Sequence, residues 1–227
     1  MITVKDVCKS FGGVFAVNHC SMKIKEGIIT SIIGPNGAGK TTLFNLICGV
    51  IPLDKGEVFL NETDLTSRRV HNIARSGISR TFQHAKLFKN LTVKQNLLLA
   101  KDCSDREMKN VLKKVHFDRD ISTLASELSY GQMRLVEIAR ALLFPHNILM
   151  LDEPTAGVNP KVRQELKVIL RDLKKAGNTV VLIEHDMEFV MSVSDEVIVM
   201  AEGSVLARGS PSKVQKDKRV LEAYLGK

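Results

Sequence analysis

A glycine-rich stretch that ends in a lysine and a threonine is the part of the sequence best suited to phosphate chemistry. It reads Gly34-Pro35-Asn36-Gly37-Ala38-Gly39-Lys40-Thr41 and fits the pattern Gly-x-x-x-x-Gly-Lys-Ser/Thr. Glycines allow the backbone to turn its N–H groups inward around an anion. Lys40 could then reach the β- and γ-phosphates of a nucleotide, and the Thr41 hydroxyl could bind Mg²⁺.

The elements on either side of this loop distinguish it from an ordinary glycine turn. The β-branched run from Ile28 to Ile33 predicts a buried strand before the loop, and residues 41–50 predict a helix after it. A helix N-terminus adds about half a positive charge to an anion site. The sequence therefore predicts that residues 34–41 bind phosphate.

Two acids follow a second apolar strand, predicted at Ile148 to Leu151. Charges at the end of a buried strand are costly unless they meet a cation. By itself, a strand that ends in Asp-Glu is structural about as often as functional. Together with the phosphate loop, it leads us to expect that Asp152 holds Mg²⁺ through water. Glu153 could then act as the general base toward the attacking water.

The predicted elements indicate an α/β fold. Residues 3–7, 15–24 and 58–60 alternate apolar and polar side chains, as in a half-exposed antiparallel sheet. From about residue 92 to 143, apolar side chains recur at helical spacing, which predicts a helical insertion. Buried strands that alternate with helices imply a parallel core.

The last third of the chain returns to alternating elements. Asn159-Pro160 predicts the start of a helix, with an N-cap and a first-turn proline, and Gly177-Asn178 predicts its end. A buried strand is expected at 179–183. Residues 197–200 and 205–207, joined across Glu202-Gly203, predict a hairpin.

The composition limits the class of protein. The chain has 227 residues, of which 44% are hydrophobic and 26% are charged, as in a globular domain with a sizeable core. It contains no apolar run long enough for a transmembrane helix and no signal-peptide pattern at its start, so we expect a cytosolic protein. We expect its scattered thiols to be reduced and buried rather than part of a zinc site or disulfide: Cys8, Cys20, Cys48 and Cys103.

The net charge of +8 is spread along the chain, with small clusters at Lys113-Lys114 and at 213–219. An excess of basic residues is consistent with a solvated surface, with binding near an anionic membrane or with binding to nucleic acid. Because no basic stripe is interleaved with aromatic residues, nucleic acid is the weakest of the three. A solvated surface is the first expectation, and proximity to an anionic membrane is the second.

With these motifs in order, nearly the whole chain resembles the ATP-binding cassette (ABC) ATPases. Leu128-Ser129-Tyr130-Gly131-Gln132 is similar to the family signature, and 154–160 occupies the position of the D-loop. Gln83 stands where the family has its Q-loop glutamine, and His185 where it has the switch histidine. Phe11 resembles the aromatic residue that stacks on adenine.

The resemblance implies a role for each position. Glu153 and His185 would be catalytic, and Thr41, Gln83 and Asp152 would bind Mg²⁺. Ser129 and Gly131 would contact the γ-phosphate bound to a second subunit, so that ATP joins the dimer. The nucleotide contacts implied in this way are Phe11, Gly34, Pro35, Asn36, Gly37, Ala38, Gly39, Lys40, Thr41, Thr42, Gln83, Ser129, Gly131 and Gln132.

The family also implies the architecture: a P-loop NTPase with a RecA-like parallel core, an N-terminal antiparallel β subdomain and an inserted helical subdomain. The whole chain, 1–227, would be one ABC ATPase domain. Its nucleotide-binding core with the β subdomain would comprise about 1–85 and 145–227. The helical subdomain that carries the signature would comprise about 86–144.

Two positions depart from the usual family pattern. Tyr130 stands where glycine is commonest in the signature, which is compatible with phosphate contact if the side chain points away. Asn159 stands at the usual aspartate position of the D-loop, where it keeps a capping oxygen but loses the charge. The loss bears on communication between the two nucleotide sites.

Within the family, the chain is similar to the ATPases of branched-chain amino acid uptake systems. The similarity rests on Ile78-Ser79-Arg80-Thr81-Phe82-Gln83, on Glu184-His185-Asp186-Met187 and on the ending Ala223-Tyr224-Leu225-Gly226. Urea and amide uptake ATPases share much of this pattern and remain an alternative. The implied partners are a second ATPase subunit, membrane permeases and a solute-binding protein, with the chain peripheral on the inner face of the membrane.

Other P-loop proteins fit less well. Chromosomal and DNA-repair ABC proteins place a long coiled coil before the signature, but here Leu128 follows Lys40 by only 88 residues. Translation-type members carry two cassettes, and this chain carries one. GTPases and small-molecule kinases do not explain residues 128–132, and the guanine motif Asn-Lys-x-Asp is absent from the sequence. A non-transport ABC ATPase and an inactive binding module are the remaining alternatives.

Overall fold

The computed structural model describes residues 1–81 and 87–225 and contains two sheets. The first is antiparallel, with the strand order β2-β1-β4-β5. The second has the order β10-β9-β3-β8-β7-β6 and is parallel except for its edge strand β10. The strands are β1 (Ile2–Phe11), β2 (Val14–Ile24), β3 (Ile29–Ile33), β4 (Lys55–Leu60), β5 (Thr63–Asp64), β6 (Ile78–Arg80), β7 (Ile148–Asp152), β8 (Thr179–Ile183), β9 (Glu196–Ala201) and β10 (Ser204–Gly209).

The helices lie in the connections between strands and after the last strand. They are α1 (Lys40–Ile47), α2 (Val70–Arg75), α3 (Val93–Leu98), α4 (Asp105–Lys114), α5 (Tyr130–Leu143), α6 (Pro160–Lys175), α7 (Met187–Val193), α8 (Pro211–Gln215) and α9 (Lys218–Leu225), with a 3₁₀ turn at Ala125–Glu127. In the part of the chain that the structure describes, no helix has the length and apolar character needed to cross a membrane.

Helices and the small sheet cover opposite faces of the parallel sheet. Leu149 and Leu151 of β7 point into a core shared with α3, α4, α5 and α6. Ile148 and Met150 of the same strand point into a second core, shared with α1 and the antiparallel sheet. Because successive side chains of a strand point to opposite faces, β7 is buried on both sides and is apolar throughout its first four residues.

Helix α6 confirms the pattern predicted from the sequence. The Asn159 side chain accepts a hydrogen bond from Val162 N at 3.0 Å, and Pro160 occupies the first turn. The apolar positions Leu166 and Ile169 are fully buried. The buried strand Thr179–Ile183 and the hairpin of β9 and β10 are also confirmed.

The structure corrects several details. Strand β1 runs on to Phe11 rather than ending at Val7, and α1 ends at Ile47 rather than Val50. The expectation that all thiols are buried is wrong for Cys103, which is half-buried. Among the described residues, every strand lies outside 86–144, which agrees with a helical part there. The domain boundaries themselves stay a prediction.

Candidate active site

Three segments with predicted chemistry meet because their strands are neighbours in the parallel sheet. The phosphate loop follows β3, His185 lies beyond β8, and Glu153 follows β7. Strand β8 pairs with both β3 and β7 in parallel register. The carboxyl ends of parallel strands meet at one edge of the sheet, which is where α/β proteins bind ligands.

The phosphate loop packs so closely on its neighbours that a side chain is excluded at key positions. Gly39 has φ 91°, and a Cβ atom there would lie 2.1 Å from Ala16 O of β2. A Cβ atom on Gly34 would lie 2.1 Å from Met200 O. Glycine is thus required on packing grounds. No side-chain hydrogen bond caps the start of α1. The N–H groups of its first turn are therefore suited to bind an anion.

The loop forms one wall of a pocket of about 300 Å³. Seven of the predicted nucleotide residues of the loop and first helical turn line it, together with both predicted catalytic residues. Ala16 also lines it and was missed by the sequence analysis, which contains no signal for a contact between β2 and the loop. The lining is Ala16, Asn36, Gly37, Ala38, Gly39, Lys40, Thr41, Thr42, Glu153 and His185.

Lys40 is held by the loop itself. Its Nζ atom donates hydrogen bonds to Gly34 O at 2.7 Å and to Pro35 O at 2.9 Å. An ammonium group has three donors, so two support the loop and the third can reach a phosphate. Burial lowers the Lys40 pKa, while the nearby carboxylates of Glu153 and Asp152 act to raise it. Gly34 and Pro35 thus contact Lys40 through their carbonyl oxygens and are not among the residues that line the pocket.

Glu153 and His185 form a close pair at the far wall of the pocket. His185 Nε2 lies 2.7 Å from Glu153 Oε1. Glu153 adopts φ 47°, a left-handed conformation that non-glycine residues rarely adopt, and its N–H donates to Ile183 O at 3.0 Å. Its side chain is 15% exposed and that of His185 is 41% exposed, so the pair is accessible from the pocket.

Asp152 lies beneath this pair and is paired with a residue that the sequence analysis did not identify as functional. Its Oδ2 atom accepts a hydrogen bond from Arg80 Nη2 at 3.0 Å, and Oδ1 makes no hydrogen bond to the described residues. Burial raises the Asp152 pKa, and Arg80 opposes this shift. A protein cation, the guanidinium of Arg80 on the neighbouring strand β6, thus meets this carboxylate, and the expected contact of Asp152 with Mg²⁺ stays a prediction.

Glu184 connects the segments that follow β7 and β8. This buried carboxylate accepts hydrogen bonds from Thr155 N at 2.8 Å and from His185 N at 3.2 Å. Burial raises the Glu184 pKa. A second connection is the ion pair between Arg163 Nη1 of α6 and Asp186 Oδ2, at 2.8 Å. The sequence signal for Glu184 was an acid directly after a buried strand, the same signal that identified Asp152.

The signature segment lies apart from this pocket. Ser129 caps α5: its hydroxyl accepts from Gln132 N at 3.3 Å, and Ser129 N donates to Gln132 Oε1 at 3.0 Å. The hydroxyl keeps its own hydrogen, which a phosphate contact would require. Among the described residues, those lining the phosphate pocket do not include Ser129, Gly131 or Gln132.

The two departures from the family pattern have a structural setting. A Cβ atom on Gly157 of the D-loop would lie 3.2 Å from the Tyr130 ring, so the ring packs directly on that loop. The Tyr130 hydroxyl also lies 3.4 Å from Nη2 of the fully buried Arg134. The compatibility of Tyr130 with a phosphate contact stays a prediction. Asn159 keeps its capping role, as expected.

All the predicted nucleotide contacts stay predictions, Phe11 and Gln83 among them. Phe11 ends β1 with 53% of its surface exposed, and it does not contribute to the lining of the phosphate pocket. Gln83 lies outside the described residues. A flat exposed aromatic suits stacking on a base, and the Nζ atom of Lys9 lies 5.6 Å from the centroid of the Phe11 ring.

The donors present fit a magnesium ion that is bound partly by phosphate. Mg²⁺ prefers oxygen ligands and is held by one or two carboxylates together with substrate phosphates and water. Asp152 offers a buried oxygen without a hydrogen bond, and the Thr41 hydroxyl lines the pocket. No cluster of three or more His, Cys, Asp or Glu side chains suited to a metal occurs within residues 1–81 and 87–225, so an all-protein site is not formed there.

Comparison with known protein sequences identifies the family. The family described as "ABC transporter" matches residues 17–156, and the family described as "Branched-chain amino acid ATP-binding cassette transporter" matches residues 204–227. The chain is 39% identical to the high-affinity branched-chain amino acid transport ATP-binding protein BraF of Pseudomonas aeruginosa. It is also 39% identical to LivG of Escherichia coli K12. Both alignments cover 100% of this chain and 98% of the relative.

Solved structures also match over nearly the whole chain. The ADP conformation of an ATP-binding cassette from an ABC transporter has a TM-score of 0.92 and 31% identity, covering 100% of this chain and 99% of that one. A dimeric cassette in a post-hydrolysis state with ADP and Pi has a TM-score of 0.83 and 26% identity, covering 93% and 99%. This chain therefore belongs to the ABC transporter family and is an ATP-binding, ATP-hydrolysing transporter subunit.

Proposed function

We propose that this chain hydrolyses Mg-ATP to power the uptake of branched-chain amino acids. This proposal is supported by the match of residues 204–227 to the branched-chain amino acid family. It is also supported by the 39% identity to BraF, which covers 100% of this chain. The chain would act as a peripheral subunit on the inner face of the membrane. Its partners would be a second ATPase subunit, integral permeases and a solute-binding protein that delivers the amino acid.

In this proposal Glu153 accepts a proton from the water that attacks the γ-phosphate. His185, 2.7 Å away, holds the carboxylate and contacts the γ-phosphate. Lys40 and the N–H groups of the loop bind the β- and γ-phosphates, and Thr42 adds a contact at the first turn of α1. Mg²⁺, held by Thr41, Gln83 and Asp152, would neutralise charge on the phosphates.

A second ATPase subunit would complete the site. Ser129, Gly131 and Gln132 lie away from the phosphate pocket of their own chain, yet the start of α5 is suited to bind an anion. In a dimer, the signature of each chain would contact the nucleotide held by the other. Phe11 would stack on the adenine of its own subunit.

A groove beside the helical part is the proposed contact for a permease. It has a volume of about 270 Å³ and lies between α2, β6 and α5. Its rim includes Val70 and Phe144, which are 49% and 36% exposed. Val70→Glu should abolish recovery of the permeases with the chain from membranes and leave ATP binding unchanged. Recovery at the wild-type level would place the contact elsewhere.

Transport assays in the source cells can test the substrate. The chromosomal copy would be replaced by a Lys40→Ala variant, and the uptake of radiolabelled leucine and urea would be measured. We expect leucine uptake to fall to background and urea uptake to be unchanged. Loss of urea uptake alone would assign the chain to the urea and amide class. If both uptakes persisted, a non-transport ABC role would be the better assignment.

A further inference from the structure

Arg80, on β6, lies between the end of β7 and helix α1. It ends β6, three residues before Gln83, and its side chain is only 7% exposed. Nη2 donates to Asp152 Oδ2 at 3.0 Å, and Nη1 donates to Asn45 Oδ1 at 2.7 Å. Its guanidinium carbon lies 5.6 Å from the centre of the Phe44 ring. One side chain thus connects the end of β7 with α1, the helix that follows the phosphate loop.

The contact selects between the two oxygens of Asp152. The carboxylate is 2% exposed, so rotation about its side-chain bonds is restricted. With Oδ2 bound to Arg80, Oδ1 is the oxygen that makes no hydrogen bond to the described residues. A carboxylate held in this way offers one defined oxygen to a metal-bound water, and partners that orient metal ligands contribute strongly to metal affinity.

Arg80 also lines the apolar groove beside the helical part, with Cys48 and Glu137. The guanidinium group is planar and rigid, and its donors point in fixed directions. A displacement of β6 at the groove would therefore change the position of the Asp152 carboxylate. Arg80 provides a direct physical connection between this surface and the metal site.

We propose that Arg80 is a positioning residue for magnesium: it holds Oδ2 of Asp152 so that Oδ1 faces the metal, and it anchors that carboxylate to Asn45 on α1. The proposal rests on the proposed role of Asp152 as a metal ligand. It assigns no contact between Arg80 and the nucleotide.

The test measures metal binding rather than turnover. Mn²⁺ serves as the probe, and free Mn²⁺ is measured by electron paramagnetic resonance with the full chain and ATP. We expect Arg80→Gln to raise the Mn²⁺ dissociation constant about tenfold, the lower end of the effect seen when a partner of a metal ligand is removed. ATP affinity in excess EDTA should change less than about twofold, because the phosphate loop is intact.

Arg208→Gln is the matched control. It breaks a similar ion pair, in which Arg208 Nη2 lies 2.6 Å from Glu196 Oε2. Arg208 is on β10, the edge strand opposite β6. It should leave the Mn²⁺ affinity unchanged. If Arg80→Gln weakens ATP binding equally with Mn²⁺ and with EDTA, Arg80 has only a structural role and the proposal is wrong. Tighter Mn²⁺ binding in this variant would also overturn it.

Arg80→Lys keeps the test valid if the glutamine variant does not fold. A lysine ammonium keeps the charge but lacks the planar fork that joins Asn45 to Asp152. We expect an intermediate loss of Mn²⁺ affinity, and wild-type affinity would contradict the proposal.

The Asp152→Asn variant separates the metal role of Asp152 from the positioning role of Arg80. If it leaves Mn²⁺ binding unchanged, the metal role of Asp152 is itself wrong. If Asp152→Asn weakens Mn²⁺ binding and Arg80→Gln does not, only the proposed role of Arg80 is wrong.

Discussion

His185 and Glu153 lie side by side, with 2.7 Å between Nε2 and Oε1, although 32 residues separate them in the chain. The pairing of β7 with β8 sets Asp152 opposite Ile183, so the residues just beyond both strands come together. Glu184 then binds the N–H groups of both Thr155 and His185. The pair is thus held by the sheet and by a buried carboxylate rather than by local sequence.

Glu153→Gln should reduce ATP hydrolysis about 10²–10⁴-fold, the usual contribution of a general base. The amide cannot accept the proton of the attacking water, although it fills the same space. ATP binding should persist, and the variant should accumulate as an ATP-bound dimer. Turnover measured by phosphate release, and dimer mass by light scattering, check both expectations. Normal phosphate release from this variant would remove Glu153 from the role of base.

Lys40→Ala should weaken nucleotide binding itself. A hydrogen bond to a charged group contributes about 1.5–3 kcal/mol, which corresponds to roughly a tenfold to hundredfold lower ATP affinity. Some loss of folding stability is also expected, because the substitution removes the hydrogen bonds from Lys40 Nζ to Gly34 O and Pro35 O. Calorimetric titration with ATP gives the affinity. Lys175→Ala, which removes a lysine whose side chain is 78% exposed, is the control and should bind ATP normally.

Glu184→Gln tests the pH dependence of stability. Burial raises the Glu184 pKa above its ordinary value of 4.5, so just above that pH the folded chain binds more protons at this group than the unfolded chain. The contribution of this group to stability therefore falls as the pH rises from 4.5 through its folded-state pKa. The free energy of unfolding of the wild type, minus that of the glutamine variant, should decrease from pH 4 to pH 7. A difference that increases over this range would contradict the shift.

Tyr130→Ala should lower the free energy of unfolding by about 2 kcal/mol, since removing a packed aromatic side chain leaves a cavity. It should also loosen the D-loop at Gly157 and reduce the cooperativity of ATP hydrolysis. Tyr130→Phe keeps the ring and loses only the long contact to Arg134, so it should resemble the wild type. Urea denaturation and the Hill coefficient for ATP test this. If the alanine and phenylalanine variants behave alike, the contact of the ring with Gly157 is unimportant.

Local patterns predicted the elements more successfully than the contacts between them. The cap at Asn159, the buried face of α6 and the strand before the phosphate loop depend on spacing within a few residues. Strand ends were less accurate, because tertiary pairing extended β1 by four residues beyond Val7. Arg80 was visible in the sequence only as a residue of a family-like tract. Its role depends on β6 lying beside β7, which no local pattern contains.

By itself the sequence determined the phosphate loop, the two acids at the end of the strand that forms β7, and the alternation of strands and helices, because glycine placement and hydrophobic periodicity act locally. Tertiary structure alone decided that β3, β8, β7 and β6 are consecutive neighbours. That order brings His185 to Glu153 and Arg80 to Asp152. The packing of β2 and of α5 on the loops places Ala16 O against Gly39 and Tyr130 against Gly157. These contacts join residues far apart in the chain, and only the packing of the sheets and helices brings them within reach.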